Sequence, residues 1–353
     1  MVRILHNDGN MQTIITSEQI AQLRSLVEAA QHIVICSHVS PDGDAIGSSL
    51  AIRRWMQRWG KEAQVVVPNR FPDFLNWMPG ADSILRLDSQ PAQAMEAVAN
   101  ADLFFIADMN VHSRLMELEP YVMANPAPKV LIDHHLAPDD FCQLTISRPE
   151  MCATCEVLCH LMSNMDEWEC VTADEATCLY TGMMTDTGAF TYASARAEVY
   201  ECISHLLACG IDKDRIYRNV FWTASPARMK LMGYMLYVKM ELTFKKRASI
   251  MTLTNAERHR FGVKNGDTEG FVNLPLQILG VRVSLFLSED TEHVGRIKVS
   301  LRSVDDFPCN EMAARFFNGG GHKNASGGHL MCSMDEAVKV AQKAISAFGQ
   351  WLM

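Results

Sequence analysis

Ionisable residues of the kinds that bind divalent metal ions follow three apolar segments of the sequence. They are His38, Asp42 and Asp44 after residues 32–36, Asp108 after residues 103–107, and Asp133, His134 and His135 after residues 130–132. A further acid, Asp186, lies where a predicted helix gives way to a loop. Crowded carboxylates repel one another unless cations neutralise them, and imidazole with carboxylate suits manganese or a related divalent ion. So many groups exceed the needs of one ion, which predicts a metal pair, the usual device for in-line attack of water on phosphorus.

The spacing within residues 38–44 has a physical interpretation. In an extended loop, Asp42 and Asp44 project to the same side, so we expect them to face one centre. The intervening proline and glycine favour such a loop. Each cluster alone also fits a structural role, because an Asp-Gly pair is typical of turns and Asp108 is a candidate helix cap. Four separate segments of this kind together favour the metal site.

Short apolar runs alternate with helical periodicity through the first half of the chain. Strands are predicted at residues 32–36, 64–67, 103–107 and 129–132, and helices at 17–30, at 45–59 and after a capping box at 172–175. This alternation predicts an α/β fold with a mainly parallel sheet flanked by helices. Ligands of such sheets bind beyond the carboxyl ends of the strands, so we expect the ionisable residues to meet at one edge.

A chain of 353 residues is longer than one core usually accommodates, which predicts two domains. We place a catalytic, metal-binding domain at residues 1–210, a helical linker at 211–230 and a smaller α/β substrate-binding domain at 231–353. Elements of the second domain are predicted as strands at 248–253, 281–287 and 296–301, a glycine-rich loop at 319–328 and a closing helix at 334–351. We expect the active site in the cleft between the domains.

The composition of the chain excludes several classes of protein. No apolar run is long enough to span a membrane, and the start of the chain has no apolar signal core, so we expect a cytoplasmic protein. The 11 cysteines are scattered, which favours a reducing compartment over a disulfide framework. The formal charge of −9 argues against a broad basic surface for long duplex nucleic acid, but not against a small anionic substrate.

Five motifs in order resemble those of the DHH phosphoesterase superfamily, which is named after one of them. They are residues 37–48, Asp108, the triplet Asp133, His134 and His135, residues 184–188, and the glycine-rich residues 315–328. The last resembles the signature of the DHH-associated C-terminal domain. The resemblance covers nearly the whole chain, and it implies two domains and a hydrolytic activity on phosphoesters.

The resemblance also implies roles for individual residues. Its metal ligands would be His38, Asp42 and Asp108 for one ion, and Asp44, Asp108, His134 and Asp186 for the other. Asp133 would orient a histidine ligand, and His135 would contact substrate phosphate or assist proton transfer. A water between the two cations would be the nucleophile. Manganese is the expected metal, with magnesium or cobalt as alternatives.

Candidate substrate-binding residues lie in the second domain. They are Gly319, Gly320, Gly321 and His322 of the glycine-rich segment, Arg302 at a strand end and, as a weaker candidate, Arg282. Consecutive glycines let backbone N–H groups approach an anion closely, and an arginine fork suits a phosphate. Without the other motifs, the same residues would be interpreted as a glycine turn and solvated arginines.

The cysteines at 152–159 imitate a metal site without its full spacing. Cys152, Cys155 and Cys159 precede His160, but a second CxxC pair is missing, and residues 155–162 have helical periodicity. We interpret these cysteines as small buried residues of a helix.

Within the superfamily, a two-domain chain of this length is most similar to nanoRNases of the NrnA type, which also act on 3′-phosphoadenosine 5′-phosphate. We expect short single-stranded RNA, linear dinucleotides such as pGpG or pApA, or the phosphorylated nucleotide as substrate. RecJ-type exonucleases and membrane-tethered cyclic dinucleotide phosphodiesterases usually carry additional domains or segments, and we favour them less. A manganese-dependent pyrophosphatase and a nucleotide-binding regulatory protein on the same scaffold are the alternatives. Homodimerisation is left open.

Overall fold

The computed structural model describes residues 13–264 and 266–353, which form two compact units. The division between the units falls between Thr223 and Ala224, inside the stretch 211–230 for which a linker is predicted. Each unit has its own six-stranded sheet. Across these residues, every helix is too short or too polar to cross a membrane.

The first unit is built on a parallel sheet. Its strands are β1 (His32–Cys36), β2 (Glu62–Val67), β3 (Leu85–Arg86), β4 (Leu103–Ala107), β5 (Lys129–Asp133) and β6 (Leu144–Ser147). They lie in the order β3-β2-β1-β4-β5-β6, and all neighbours are parallel. The helices are α1 (Ser17–Ala29), α2 (Gly43–Arg58), α3 (Pro91–Asn100), α4 (Glu119–Ala124), α5 (Thr154–Asn164), α6 (Ala173–Asp186), α7 (Ala197–Ala208) and α8 (Lys213–Phe221).

Both faces of this sheet are buried, which explains why its strands are nearly continuous apolar runs. In β1, Ile33 and Ile35 belong to one hydrophobic core, whereas Val34 and Cys36 belong to another. Since side chains alternate along a strand, the two cores lie on opposite faces. The predicted parallel α/β fold is confirmed.

Helices α2 and α6 approach closely because glycines occupy their contact. A Cβ atom on Gly47 would lie 2.6 Å from the carbonyl oxygen of Cys178. A Cβ atom on Gly182 would lie 2.3 Å from Sγ of Cys155 and 2.7 Å from Oδ1 of Asp44. The close packing therefore brings the first turn of α2 against the last turns of α6, where acidic residues of both helices lie.

The second unit contains a mixed sheet. Its strands are β7 (Glu241–Thr243), β8 (Ala248–Leu253), β9 (Val283–Glu289), β10 (Arg296–Ser303), β11 (Gly320–His322) and β12 (Ala325–Met331). They lie in the order β11-β12-β10-β9-β8-β7, with β8 and β9 parallel and all other neighbours antiparallel. The helices are α9 (Pro226–Tyr234), α10 (Asn255–Phe261), α11 (Cys309–Phe316) and α12 (Met334–Ala347). The predicted smaller α/β unit is confirmed.

The glycine-rich stretch is a pair of strands, so the loop predicted at 319–328 is wrong. Gly320 of β11 pairs with Gly327 of β12 in an antiparallel ladder. A Cβ atom on Gly319 would lie 1.9 Å from the carbonyl oxygen of Gly327, so only glycine fits this approach. Glycine is rare in strands, and a side-chain pattern cannot reveal a pairing that depends on close backbone contact.

Candidate metal centre

The ionisable residues of the first unit meet at the carboxyl ends of three neighbouring strands. His38 lies two residues beyond β1, Asp108 directly follows β4, and Asp133 is the last residue of β5. Asp108 has a φ angle of 59°, a left-handed conformation that aspartate tolerates better than most residues. The parallel order β1-β4-β5 therefore places these side chains side by side.

Two groups of potential ligand atoms lie side by side in this region. They are His38, Asp42 and Asp108, and Asp44, His134 and Asp186, with the atoms of each group within 4.8 Å of one another. A third group, Asp108, His134 and His135, contains members of both. Nε2 of His38 is 3.5 Å from Oδ2 of Asp108, and Nε2 of His134 is 3.6 Å from Oδ1 of the same carboxylate. Each oxygen of the Asp108 carboxylate therefore faces the histidine of a different group.

Backbone carbonyls orient the two histidine rings. Nδ1 of His38 lies 2.8 Å from the carbonyl oxygen of Val39, and Nδ1 of His134 lies 3.2 Å from that of Met151. Because a carbonyl only accepts, each Nδ1 carries a proton and donates it. In the neutral ring, the lone pair of Nε2 then points at the carboxylates, as in a histidine prepared to bind a metal.

Asp42 and Asp44 do not project together from an extended loop, so that prediction is wrong. Asp42 is the N-cap of α2, where its Oδ1 accepts hydrogen bonds from the backbone N–H groups of Asp44 and Ala45. Asp44 therefore lies in the first helical turn and points elsewhere. It is buried beside His134 and Asp186, whereas Asp42 lies with the other ligand group.

Thr154 is part of the site, although no sequence motif indicated it. Its backbone N–H donates to Oδ2 of Asp44 at 2.6 Å, and its hydroxyl donates to Oδ1 of Asp108 at 2.9 Å. The N–H of Cys155 donates to Oδ1 of Asp44. The carboxylate of Asp44 thus sits at the N-terminus of α5, where unpaired N–H groups favour an anion. Thr154 and Cys155 contribute through backbone and hydroxyl groups, while the thiols of Cys152 and Cys155 are buried in the core.

The site holds excess negative charge. The pKa of Asp44 is raised well above its usual range, first by burial and then by the carboxylates of Asp108 and Asp186. Burial also raises the pKa of Asp186 to about 6, while His134 opposes that rise. Burial opposes ionisation of Asp108 too, but the hydrogen bond and charge of His38 bring its pKa to about 2. Bound cations would relieve this repulsion.

Asp133 and His135 form a hydrogen-bonded pair beside the two groups. Oδ1 of Asp133 lies 2.7 Å from Nδ1 of His135, and Oδ2 accepts from the backbone N–H of His135. Asp133 therefore orients His135, which is not one of the histidines that the resemblance implied as metal ligands. On its other side, Nε2 of His135 lies 3.2 Å from Nη1 of Arg114. Sequence reasoning missed Arg114, whose only sign is a lone arginine six residues after Asp108.

The substrate-binding candidates of the second unit share one region of its sheet. Arg302 of β10 is opposite Ala325 of β12, which is opposite His322 of β11, so all three lie in one row. Directly opposite residues project to the same face, which places the Arg302 and His322 side chains on one surface. Arg282 lies just before β9, and its Nη2 is 3.5 Å from Oδ2 of Asp305.

The donor set fits divalent metal ions. Two imidazole Nε2 atoms and four carboxylates converge without a thiolate, the combination that suits manganese, magnesium or cobalt. The nearby Cys155 is not a competing ligand, because burial raises its pKa and its Sγ faces a backbone oxygen of Asp44. Thr154 and the backbone groups of Val39, Met151 and Cys155 support the donors from behind, as outer-shell partners of metal sites do.

Known proteins resemble this chain over almost its whole length. The N-terminal domain of the DHH family matches residues 32–183, and the DHHA1 domain matches residues 247–348. The crystal structure of an exopolyphosphatase-related protein from Bacteroides fragilis is 47% identical, with 97% of this chain and 99% of that chain covered and a TM-score of 0.91.

Two further relatives extend the comparison. The bifunctional oligoribonuclease and PAP phosphatase NrnA of Thermus thermophilus is 29% identical over 345 residues, which are 96% of this chain and 97% of that protein. A crystal structure of the exonuclease RecJ bound to manganese covers 96% of both chains with a TM-score of 0.50, and at 14% identity it supports the fold alone. These matches confirm the resemblance carried by the five motifs, and the chain is a hydrolytic phosphoesterase of the DHH family, in the NrnA-type group.

Proposed function

We propose that this protein hydrolyses short oligoribonucleotides and linear dinucleotides to mononucleotides, and that it also removes a phosphate from 3′-phosphoadenosine 5′-phosphate. The observation that carries the proposal is the pair of ligand groups at the strand ends of the first unit, whose histidines lie 3.5 and 3.6 Å from the two oxygens of Asp108. The two activities for which the NrnA relative from Thermus thermophilus is named, oligoribonuclease and PAP phosphatase, support the choice of substrates.

In this proposal the chain holds two divalent ions, with manganese as the preferred metal. His38, Asp42 and Asp108 would bind one ion, and Asp44, Asp108, His134 and Asp186 the other. Bound there, the ions would supply positive charge that activates water and neutralises phosphate oxygens. The backbone carbonyls behind His38 and His134, with the N–H groups at the start of α5, keep the donors oriented.

The second unit would recognise the part of the substrate that does not react. Arg302 and His322, on one face of the sheet, offer donors for a second phosphate. Of the glycines 319–321, Gly319 and Gly321 pack against β12, whereas Gly320 has open space on its Cβ side for a ligand. A formal charge of −9 suits a ligand with few phosphates better than a long polyanion. We also propose a cytoplasmic location, because 11 scattered cysteines suit a reducing compartment better than a disulfide framework.

The test compares hydrolysis of pGpG, 3′-phosphoadenosine 5′-phosphate and pyrophosphate in the presence of Mn²⁺. We expect mononucleotide release from pGpG, and we expect Asp108→Asn to lower it roughly 10³-fold, because metal ions supply several kcal/mol of transition-state stabilisation. Asp174→Asn is the matched control: this aspartate of the same unit forms an ion pair with Arg54 on the surface. Its kcat/KM should equal that of the wild type.

Other outcomes would replace the proposal with a named alternative. Turnover of pyrophosphate alone would make the protein a pyrophosphatase. No turnover of any of the three compounds, with tight nucleotide binding retained, would favour a regulatory protein on this scaffold. Equal losses in Asp108→Asn and Asp174→Asn would point to a folding defect and remove the support for the metal centre.

A further inference from the structure

Arg114 is held beside the metal centre by two independent contacts. Its Nη1 lies 3.2 Å from Nε2 of His135, and its backbone carbonyl accepts a hydrogen bond of 2.8 Å from the N–H of Val39. Val39 follows the candidate ligand His38, so both contacts tie Arg114 to segments that carry the site. The residue lies in a short 3-10 helix at 112–118, just after Asp108 and β4.

The hydrogen bonds around His135 define which of its nitrogens carries the proton. A guanidinium group has only donors, so the contact with Arg114 requires Nε2 of His135 to accept. Nδ1 must then hold the proton, which it donates to Oδ1 of Asp133 at 2.7 Å. Asp133 is fully buried and is the last residue of β5, so it is a rigid anchor. The row Asp133, His135, Arg114 thus runs outward from the sheet to the guanidinium group.

The remaining donors of Arg114 are available to a ligand. Within residues 13–264 and 266–353, neither its Nη2 nor its Nε has a hydrogen-bond acceptor, and the side chain is only half-buried. A positive fork with free N–H groups at this position fits the non-bridging oxygens of a phosphate.

We propose that Arg114 binds the reacting phosphate of the substrate, and that His135 acts as a positioning residue that holds the guanidinium in place. The inference rests on the proposed function for the identity of the substrate. Its core claim, a phosphate-binding arginine aligned by the third residue of the Asp133-His134-His135 triplet, does not need turnover to be tested.

The first test measures binding of inorganic phosphate and GMP to the Mn²⁺-loaded protein by titration calorimetry. Arg114→Ala should weaken both ligands about 10- to 100-fold, the usual effect of losing a charge-assisted hydrogen-bond pair, and Arg114→Lys should recover part of the loss. The affinity for Mn²⁺ should stay unchanged in both variants. Arg24→Lys is the matched control, since Arg24 is a half-buried arginine of α1 that donates to the carbonyl oxygen of Met165.

A second test concerns the coupling of the two residues. If His135 acts only through Arg114, the phosphate affinity of the double variant Arg114→Ala, His135→Ala should equal that of Arg114→Ala alone. Nitrogen NMR of the metal-free protein should also show His135 with a protonated Nδ1 and an unprotonated Nε2. If the double variant lost phosphate affinity by the product of the two single losses, the positioning role of His135 would be wrong. A proton on Nε2 of His135 would also contradict it.

The two proposals can fail separately. If the wild type cleaves pGpG and Arg114→Ala binds phosphate normally, the function stands and the role of Arg114 is wrong. If no nucleotide is cleaved but phosphate binding depends on Arg114, the role of Arg114 stands and the proposed function is wrong.

Discussion

Thr154 joins the two ligand groups at the residue scale. Its N–H and hydroxyl donate to Asp44 and Asp108, one from each group, and the side chain is fully buried. Thr154→Val keeps the shape but removes the hydroxyl donor, so Oδ1 of Asp108 loses a partner. We expect Mn²⁺ affinity to fall about 10- to 100-fold, as for other outer-shell partners of metal ligands. Titration calorimetry with Mn²⁺ measures this directly.

Thr154→Ser provides the control because it retains the hydroxyl and removes only a methyl group. Near-normal affinity in Thr154→Ser, with loss in Thr154→Val, would identify the hydrogen bond as the cause. Similar losses in both variants would instead assign the effect to packing, and normal affinity in both would contradict the role of Thr154.

Some of the residues of this site could be predicted from the sequence alone. Acidic and imidazole side chains after apolar runs, such as Asp108 and His134, have few roles other than ligands when they occur together. Thr154 and Arg114 could not be predicted from the sequence. A threonine is common at the start of a helix and an arginine on a surface, and only the fold brings these two residues close to the carboxylates. The grouping of Asp42 and Asp44 was wrong for a related reason: it assumed an extended loop where a helix begins.

At the element scale, the contact between α2 and α6 positions Asp44 and Asp186. A Cβ atom on Gly182 would lie 2.7 Å from Oδ1 of Asp44, closer than such atoms can approach. Gly182→Ala should therefore push Asp44 out of place and lower both Mn²⁺ affinity and pGpG hydrolysis by at least about tenfold, since small displacements at reacting centres are costly. Calorimetry and product release measure the two effects.

Gly233→Ala is the matched control for this prediction. Gly233 is in α9, and an added Cβ atom would meet nothing within 4 Å. Alanine favours helix over glycine, so this variant should keep full activity and unfold at a slightly higher temperature. If Gly182→Ala were equally active, the close approach of α2 and α6 would not control the geometry of the site.

Strands with a continuous apolar run were predictable in both units, and β8 has the predicted bounds, whereas the short strands β3 and β6 were missed. Strands β1 and β4 have the bounds that their apolar runs predicted, because both faces of a parallel sheet are buried and leave a continuous pattern. The capping box at Thr172 likewise starts α6 as expected. The pairing of β11 with β12 was missed because it depends on glycine backbones that meet across the sheet, and local sequence contains no sign of that partner.

On the scale of the whole molecule, the length of the chain and the order of its motifs predicted two domains. The separate functions of the two domains remain a prediction. We propose that the first unit supplies the metal chemistry and that Arg302 of the second unit recognises a distal phosphate. The rate of hydrolysis of a substrate without that phosphate should then not depend on Arg302. Bis(p-nitrophenyl) phosphate is such a substrate, because it is a phosphodiester with no further phosphate group.

Arg302→Ala should consequently lower kcat/KM for pGpG about 10- to 100-fold and leave hydrolysis of bis(p-nitrophenyl) phosphate unchanged. Lys298→Ala is the control, since Lys298 lies four residues earlier on the same face of β10 and is half exposed, with its Nζ 3.4 Å from Asp290. A loss restricted to Arg302→Ala would indicate a specific phosphate contact. Equal losses in both variants would indicate only general attraction by positive charge, and a loss on both substrates would mean that Arg302 serves the chemistry itself.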